Sequence, residues 1–166
     1  LPARRASMTA RTLVLGMGNT LLQDDGAGVH TVRQMQEQAG DLSGAEFLDV
    51  GTLSFTLAAV IEDAEKLIII DAAKMQQAPG TVQVFEGEEM DRFLNRQRRL
   101  SVHEVSLVDL LAIARLTGLL PARRALIGIE PQSLDWGDAP TAPVAQAIPH
   151  AGAAALELIE RWRGHA

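Results

Sequence analysis

The segment Leu67-Ile68-Ile69-Ile70-Asp71 sets the tightest limit on what this chain can fold into. Four consecutive aliphatic residues with no polar alternation need cover on both faces, the condition of a central strand in a parallel sheet. A carboxylate directly after them has to emerge at the carboxyl end of that strand. Its apolar neighbours leave it short of water, so it needs a partner. Other short runs repeat the theme. Residues 12–18 (TLVLGMG) are apolar and closed by glycine, residues 46–50 lead through Asp49-Val50-Gly51-Thr52, and residues 125–129 run into Glu130-Pro131.

Between these runs the spacing turns helical. Residues 27–38 place Val29, Val32 and Met35 on one side, and residues 55–64 do the same with Leu57, Val60 and Ile61, with Ser54 positioned as a cap. Pro79-Gly80 marks a turn, after which residues 81–85 alternate like an edge or hairpin strand. A short helix is expected over 88–95. A longer one is expected over 104–117, carrying Leu107, Leu110, Leu111 and Ile113 and stopped at Gly118. Residues 144–162 close the chain as a helix, with a break expected near Pro149. Strands alternating with helices predict an α/β three-layer sandwich, a mostly parallel twisted sheet with helices on both faces. The single domain is expected over residues 8–166. Met8 reads as a natural start, and residues 1–7 as a tag remnant or disordered extension.

Composition closes several routes. The chain has no cysteine, which removes disulfides, thiolate metal sites and cysteine nucleophiles and fits a reducing cytoplasm. Its formal net charge is -6 with no polybasic block, so nucleic acid is not an expected partner. No apolar run reaches the roughly 18–20 residues of a membrane span. There is no G-x-S-x-G elbow, no H-E-x-x-H helix and no P-loop. Gly16, Gly18, Gly26 and Gly28 invite a dinucleotide reading, but the third glycine of that fingerprint is missing. Such glycines equally serve loops that need positive φ or close backbone approach.

Ligands of open α/β sheets sit outside the carboxyl ends of the strands. Those ends carry residues 19–25, Asp49, Asp71 and Glu130. Asp25 lies in the loop after the first strand, Asp71 ends the central one, and His103 precedes a helix within Ser101-Val102-His103. Two carboxylates and one imidazole suit a divalent metal with open positions, zinc or nickel. A plainer reading stands beside this one. An aspartate before a helix, Asp24 or Asp25, commonly serves as an N-cap, and a lone loop histidine is commonly a surface residue. Arg92, Arg96, Arg98 and Arg99 form a basic cluster that either guides an acidic partner or is a solvated helix face.

The segment from Gly16 to Val29 (GMGNTLLQDDGAGV) resembles the opening motif of the nickel-iron hydrogenase maturation endopeptidases, G-x-G-N-x-L-x-x-D-(D/E)-x-x-G-V. Asp49-Val50-Gly51-Thr52 resembles their D-G-G-T segment, with Val50 in place of its first glycine. Ile70-Asp71-Ala72, Pro79-Gly80-Thr81, the Ser101–Leu107 stretch around His103, and Gly128-Ile129-Glu130-Pro131 follow in the family's order. The likeness covers residues 12–162, and the ordered set is far more specific than any one motif.

The resemblance implies an endopeptidase that removes the C-terminal extension of a nickel-iron hydrogenase large-subunit precursor after nickel insertion. It implies a metal-binding and catalytic trio of Asp25, Asp71 and His103. Nickel would come from the precursor, and zinc or cadmium could stand in for it. Asp24 and Asp49 would support the trio from behind. A monomer is expected, and the stretches around His103 and Asp135-Trp136-Gly137 look most like the branch serving NAD-linked bidirectional hydrogenases. Two other classes remain open: a nickel-sensing escort that holds the precursor without cutting it, and a nucleotide-dependent enzyme of Rossmann type.

Overall fold

The computed structural model describes residues 11–39, 44–51, 56–98 and 106–163. The first seven residues, Ser54 and the segment around His103 lie outside them. In chain order the elements are β1 (Thr12–Met17), a 3-10 turn (Gln23–Gly26), α1 (Ala27–Ala39), β2 (Ala45–Gly51), α2 (Thr56–Asp63) and β3 (Lys66–Ala72). There follow β4 (Val82–Glu86), α3 (Glu88–Arg98), α4 (Leu107–Leu116), β5 (Arg123–Ile129) and α5 (Ala142–Arg163). The sheet has five strands in the order β2-β1-β3-β5-β4, parallel except for β4, which pairs antiparallel to β5 at the edge.

The continuous apolar run of β3 is explained by two cores. Leu67 and Ile69 join Leu13, Leu15 and Met17 of β1 beneath α2, α3 and α4, against Ile61, Met90 and Leu110. Ile68 and Ile70 join Val14 and Ile127 beneath α1 and α5, against Val32, Val144, Ala151 and Leu158. Successive side chains of a strand point to opposite faces, so a strand covered on both sides shows no polar alternation. Leu67, Ile68, Ile69 and Ile70 are each fully buried. Each contributes about 1.5–3 kcal/mol relative to exposure. This is the three-layer α/β sandwich that the sequence predicts.

Three helices differ from expectation, the first being α3, which runs past the expected residue 95 to Arg98. The described part of α4 starts at Leu107, because Ser106 and Asp109 form a reciprocal capping box that fixes the boundary. Residues 104–105, expected to open that helix, lie outside the described residues. The third difference is α5, which passes Pro149 without a break. The carbonyl that loses its partner there belongs to Ala145, four residues earlier on the exposed face, where water can satisfy it. Val144, Ala147, Ile148 and Ala151 on the opposite face stay seated on the sheet and hold the helix through the site. No described helix is long and apolar enough to cross a membrane.

Candidate active site

The strand order reverses between β1 and β3: the chain leaves β1 for β2 on one side and returns to β3 on the other. That is the switch point at which open α/β sheets form a crevice beyond their carboxyl ends. The turn after β1 carries Asp25, and Asp71 is the penultimate residue of β3, which runs one residue past it to Ala72.

Glycine brings the two together. A Cβ on Gly28, in the first turn of α1, would strike the carbonyl oxygen of Ile70 at the end of β3. Gly18, at φ 125°, adopts a backbone conformation closed to other residues, and a Cβ there would strike the carbonyl of Asp25. The glycine-rich segment thus serves close approach of α1 and its preceding turn to β1 and β3. That packing role accounts for the feature that suggested a dinucleotide site.

Asp71 keeps part of its residue surface open to solvent, but its carboxyl lies deep. Burial pushes its pKa up to about 8, the negative charge of Asp25 adds to the rise, and a hydrogen bond from the Ala72 N–H opposes it. Asp71 therefore holds a proton at neutral pH while no cation is present. Asp25 is half-buried, and its Oδ2 accepts the Asn19 N–H at 2.9 Å.

Asp24, one residue away, is fully buried and wholly engaged elsewhere. Its Oδ2 accepts the N–H groups of Gln132 (2.8 Å) and Ser133 (3.0 Å) and the Thr141 hydroxyl (2.8 Å), and its Oδ1 accepts the Thr141 N–H at 2.7 Å. Burial works against its charge, but these bonds outweigh it and hold the carboxyl below the ordinary carboxylate range. Neither aspartate matches the simple capping reading. Asp24 fastens the loop after β5 and the entry to α5, and Asp25 holds Asn19 across the mouth of its own turn. Backbone bonds complete the join: Gln23 N–H to Gly137 O and Gly137 N–H to Leu21 O, both 2.9 Å. Gln23 sits at φ 44° against Gly137, whose missing Cβ leaves room for the glutamine side chain.

The other strand-end acids are also engaged. Glu130 accepts the N–H groups of Met75 (3.1 Å) and Gln77 (2.6 Å), shaping the loop after β3. Asp49 pairs with Arg33 at 2.8 Å. His30 lies beside that pair, with its imidazole held below its ordinary pKa by burial first and by Arg33 second, against a pull from Asp49. Arg92 and Arg96 are exposed on α3, and Arg92 lies 4.0 Å from Glu88, which fits a solvated face.

His103 and Thr52 lie outside the described residues. Among the described residues no three His, Cys, Asp or Glu side chains are grouped to hold a metal, so the described part of the trio is the pair Asp25 and Asp71. Sequence reasoning missed the reach of Asp24. Its one local signal is the doublet itself, since adjacent aspartates in a tight turn cannot both face the same crevice.

Residues 29–159 match the family model described as hydrogenase maturation protease. The chain belongs to the hydrogenase maturation protease family. Hydrogenase expression/formation protein HupD of Rhizobium leguminosarum bv. viciae is 35% identical, over 92% of this chain and 75% of its own length. Protein HoxM of Azotobacter vinelandii is also 35% identical, over 92% and 74%. The solved structure of the hydrogenase maturating endopeptidase HybD from Escherichia coli superposes with a TM-score of 0.80 at 30% identity, covering 91% of this chain and 93% of that one. The chain is therefore a peptide hydrolase of hydrogenase maturation, on the α/β sandwich of its family.

Proposed function

We propose that Asp25 and Asp71, completed by His103, form the centre at which this protease meets the nickel of its substrate. The chain is an endopeptidase that processes the C-terminal end of a hydrogenase large subunit. The observation behind the proposal is the proximity of the two carboxyl groups, close enough that the charge of Asp25 raises Asp71. Two neighbouring carboxyls, one of them deep, suit a cation, because a divalent ion between them lets both stay ionised. Two oxygens and the imidazole of His103 would make three protein ligands, leaving positions for groups of the precursor. On this reading nickel is part of the substrate, brought in by the loaded precursor and carried away with the product.

Bound nickel would supply positive charge to polarise the scissile carbonyl. The chain's own residues do the positioning. The Asn19 N–H holds the Asp25 carboxylate in place, and Asp71 gives up its proton as the cation arrives. Peptide hydrolysis then needs a water to add to the carbonyl carbon and a proton to reach the leaving nitrogen. On this reading the carboxylate of Asp25 or Asp71 takes the proton released by that water and hands it to the leaving nitrogen. The proposed setting is the cytoplasm, with the chain a monomer and an NAD-linked bidirectional hydrogenase as partner.

The test is to incubate the protein with nickel-loaded and nickel-free large-subunit precursor and read the loss of mass. Shortening is expected only with nickel, and Asp71→Asn and His103→Ala should each slow it by about a hundredfold or more. His103→Ala at the wild-type rate would sink the site assignment. Binding without cleavage of this precursor or its sister precursors would turn the reading to an escort, and cleavage of a sister precursor alone would reassign the partner.

A further inference from the structure

The two loops joined by Asp24 expose apolar side chains that the fold does not use. Leu21 is 57% exposed, Leu134 38% and Trp136 79%. They are three of the five large hydrophobic residues left exposed among the described residues, and all three lie on this one pair of loops. Scattered exposed leucines are ordinary, but a clustered group with an outward tryptophan is not.

The patch is rigidly built. Leu21 O accepts the Gly137 N–H, Gln23 N–H donates to Gly137 O, and residues 22 and 137 form a parallel bridge. Beneath them Asp24 ties Gln132, Ser133 and Thr141 together. A tryptophan held on a fixed loop loses little freedom when a partner covers it, which is the condition of an interface anchor.

The patch is also continuous with the cleavage centre. The Asp25 carboxylate accepts the Asn19 N–H, the Asn19 side-chain oxygen accepts the Leu21 N–H at 2.9 Å, and the Leu21 carbonyl accepts the Gly137 N–H. One chain of hydrogen bonds thus runs from the candidate centre to the residue beside Trp136. Exposed Asp135 and Asp138 flank Trp136 on either side, giving the apolar surface a negative border.

We infer that Leu21, Leu134 and Trp136 form the docking surface for the precursor, taking a bulky apolar side chain flanked by lysine or arginine from the segment near the bond to be cut. This rests on the reading of Asp25 and Asp71 as the cleavage centre. That reading places a polypeptide substrate in the adjoining crevice, and the acidic border selects basic flanks on it.

Tryptophan supplies a probe, because the chain has only two. Trp162 is 3% exposed in the core and Trp136 stands in solvent. In protease labelled with 5-fluorotryptophan, titration with nickel-loaded large-subunit precursor should shift or broaden one fluorine resonance, that of Trp136, and leave Trp162 unmoved. In the processing assay Trp136→Ala should raise KM at least tenfold and change kcat less than threefold, with Trp136→Phe between it and wild type. Charge reversal in the Asp135→Lys/Asp138→Lys protein should raise KM further at low salt than at high salt. An unmoved Trp136 resonance at saturating precursor, or a fall in kcat with KM unchanged, overturns the inference. So does sedimentation showing a dimer of this chain that Trp136→Ala dissolves. If wild-type protein binds the precursor through Trp136 yet never cuts it, the cleavage reading fails and the docking surface stands. Cleavage that ignores Trp136 is the reverse case.

Discussion

Asp24 lies toward the loop after β5 and meets four donors there. Asp25, the next residue, lies toward Asp71 and accepts one N–H among the described residues. Both belong to the same 3-10 turn. The difference separates a structural carboxylate from the one proposed to be functional better than burial does, because Asp24 is the more buried of the two. A buried carboxylate supplied with donors stays ionised and holds pieces of chain together, whereas a deep carboxyl facing another acid is left with unsettled charge that a cation can resolve.

Exchanging one residue in each region should separate stability from processing. Asp24→Ala leaves the N–H groups of Gln132, Ser133 and Thr141 without their acceptor. It should lower stability by about 3 kcal/mol, measured by urea unfolding, since each orphaned buried donor costs about 1–3 kcal/mol and loop relaxation recovers part of that. Asp71→Asn should do the opposite in metal-free protein at pH 8: processing is lost while the melting temperature rises. Equal stability losses from the two variants would break the comparison.

A milder probe is pH. Asp71 is raised in the folded state to about 8 from an ordinary 3.8, so the folded protein holds that proton more tightly than the unfolded chain does. Its contribution to stability is full below about pH 4 and is lost progressively as pH rises through about 8. Asp24 has the opposite sign: its folded pKa is lowered, so its contribution is present above about pH 4 and lost as pH falls through its folded value. Unfolding of metal-free protein across this range should show both slopes. Asp71→Asn should flatten the alkaline one, and Asp24→Asn the acid one.

Asp49 sits between these extremes, paired with Arg33 in an ion pair whose arginine is 53% exposed. Arg33→Met should change stability by less than about 1 kcal/mol, as exposed pairs do, and leave processing within a few-fold. A large loss of processing would move Asp49 and its neighbour His30 into the functional region.

Much of the sheet was legible because its residues speak locally. Both-sided burial writes β3 as Leu67-Ile68-Ile69-Ile70, and close approach writes Gly18 and Gly28 around the turn that carries Asp25. That Asp25 and Asp71 lie near each other is expected from their places at the carboxyl ends of two strands and from the family resemblance. The work of Asp24 was not legible. Its donors come from an irregular loop with no period, and nothing in the doublet Asp24-Asp25 says which oxygen meets Thr141. The uninterrupted α5 escaped for a related reason: the tolerance of Pro149 depends on which way the Ala145 carbonyl faces, which only the docked helix decides.

The partners of Asp24 lie 108 to 117 residues further along the chain. A ribosome adding about 5–20 residues per second needs on the order of ten seconds to deliver them. Throughout that interval Asp24 lacks its donors from residues 132–141, and the surface that joins Leu21 to Gly137 does not exist. The join of Leu21 to Gly137 therefore forms only after the loop beyond β5 has been made, and a copy stopped before that point lacks the surface proposed to hold the precursor.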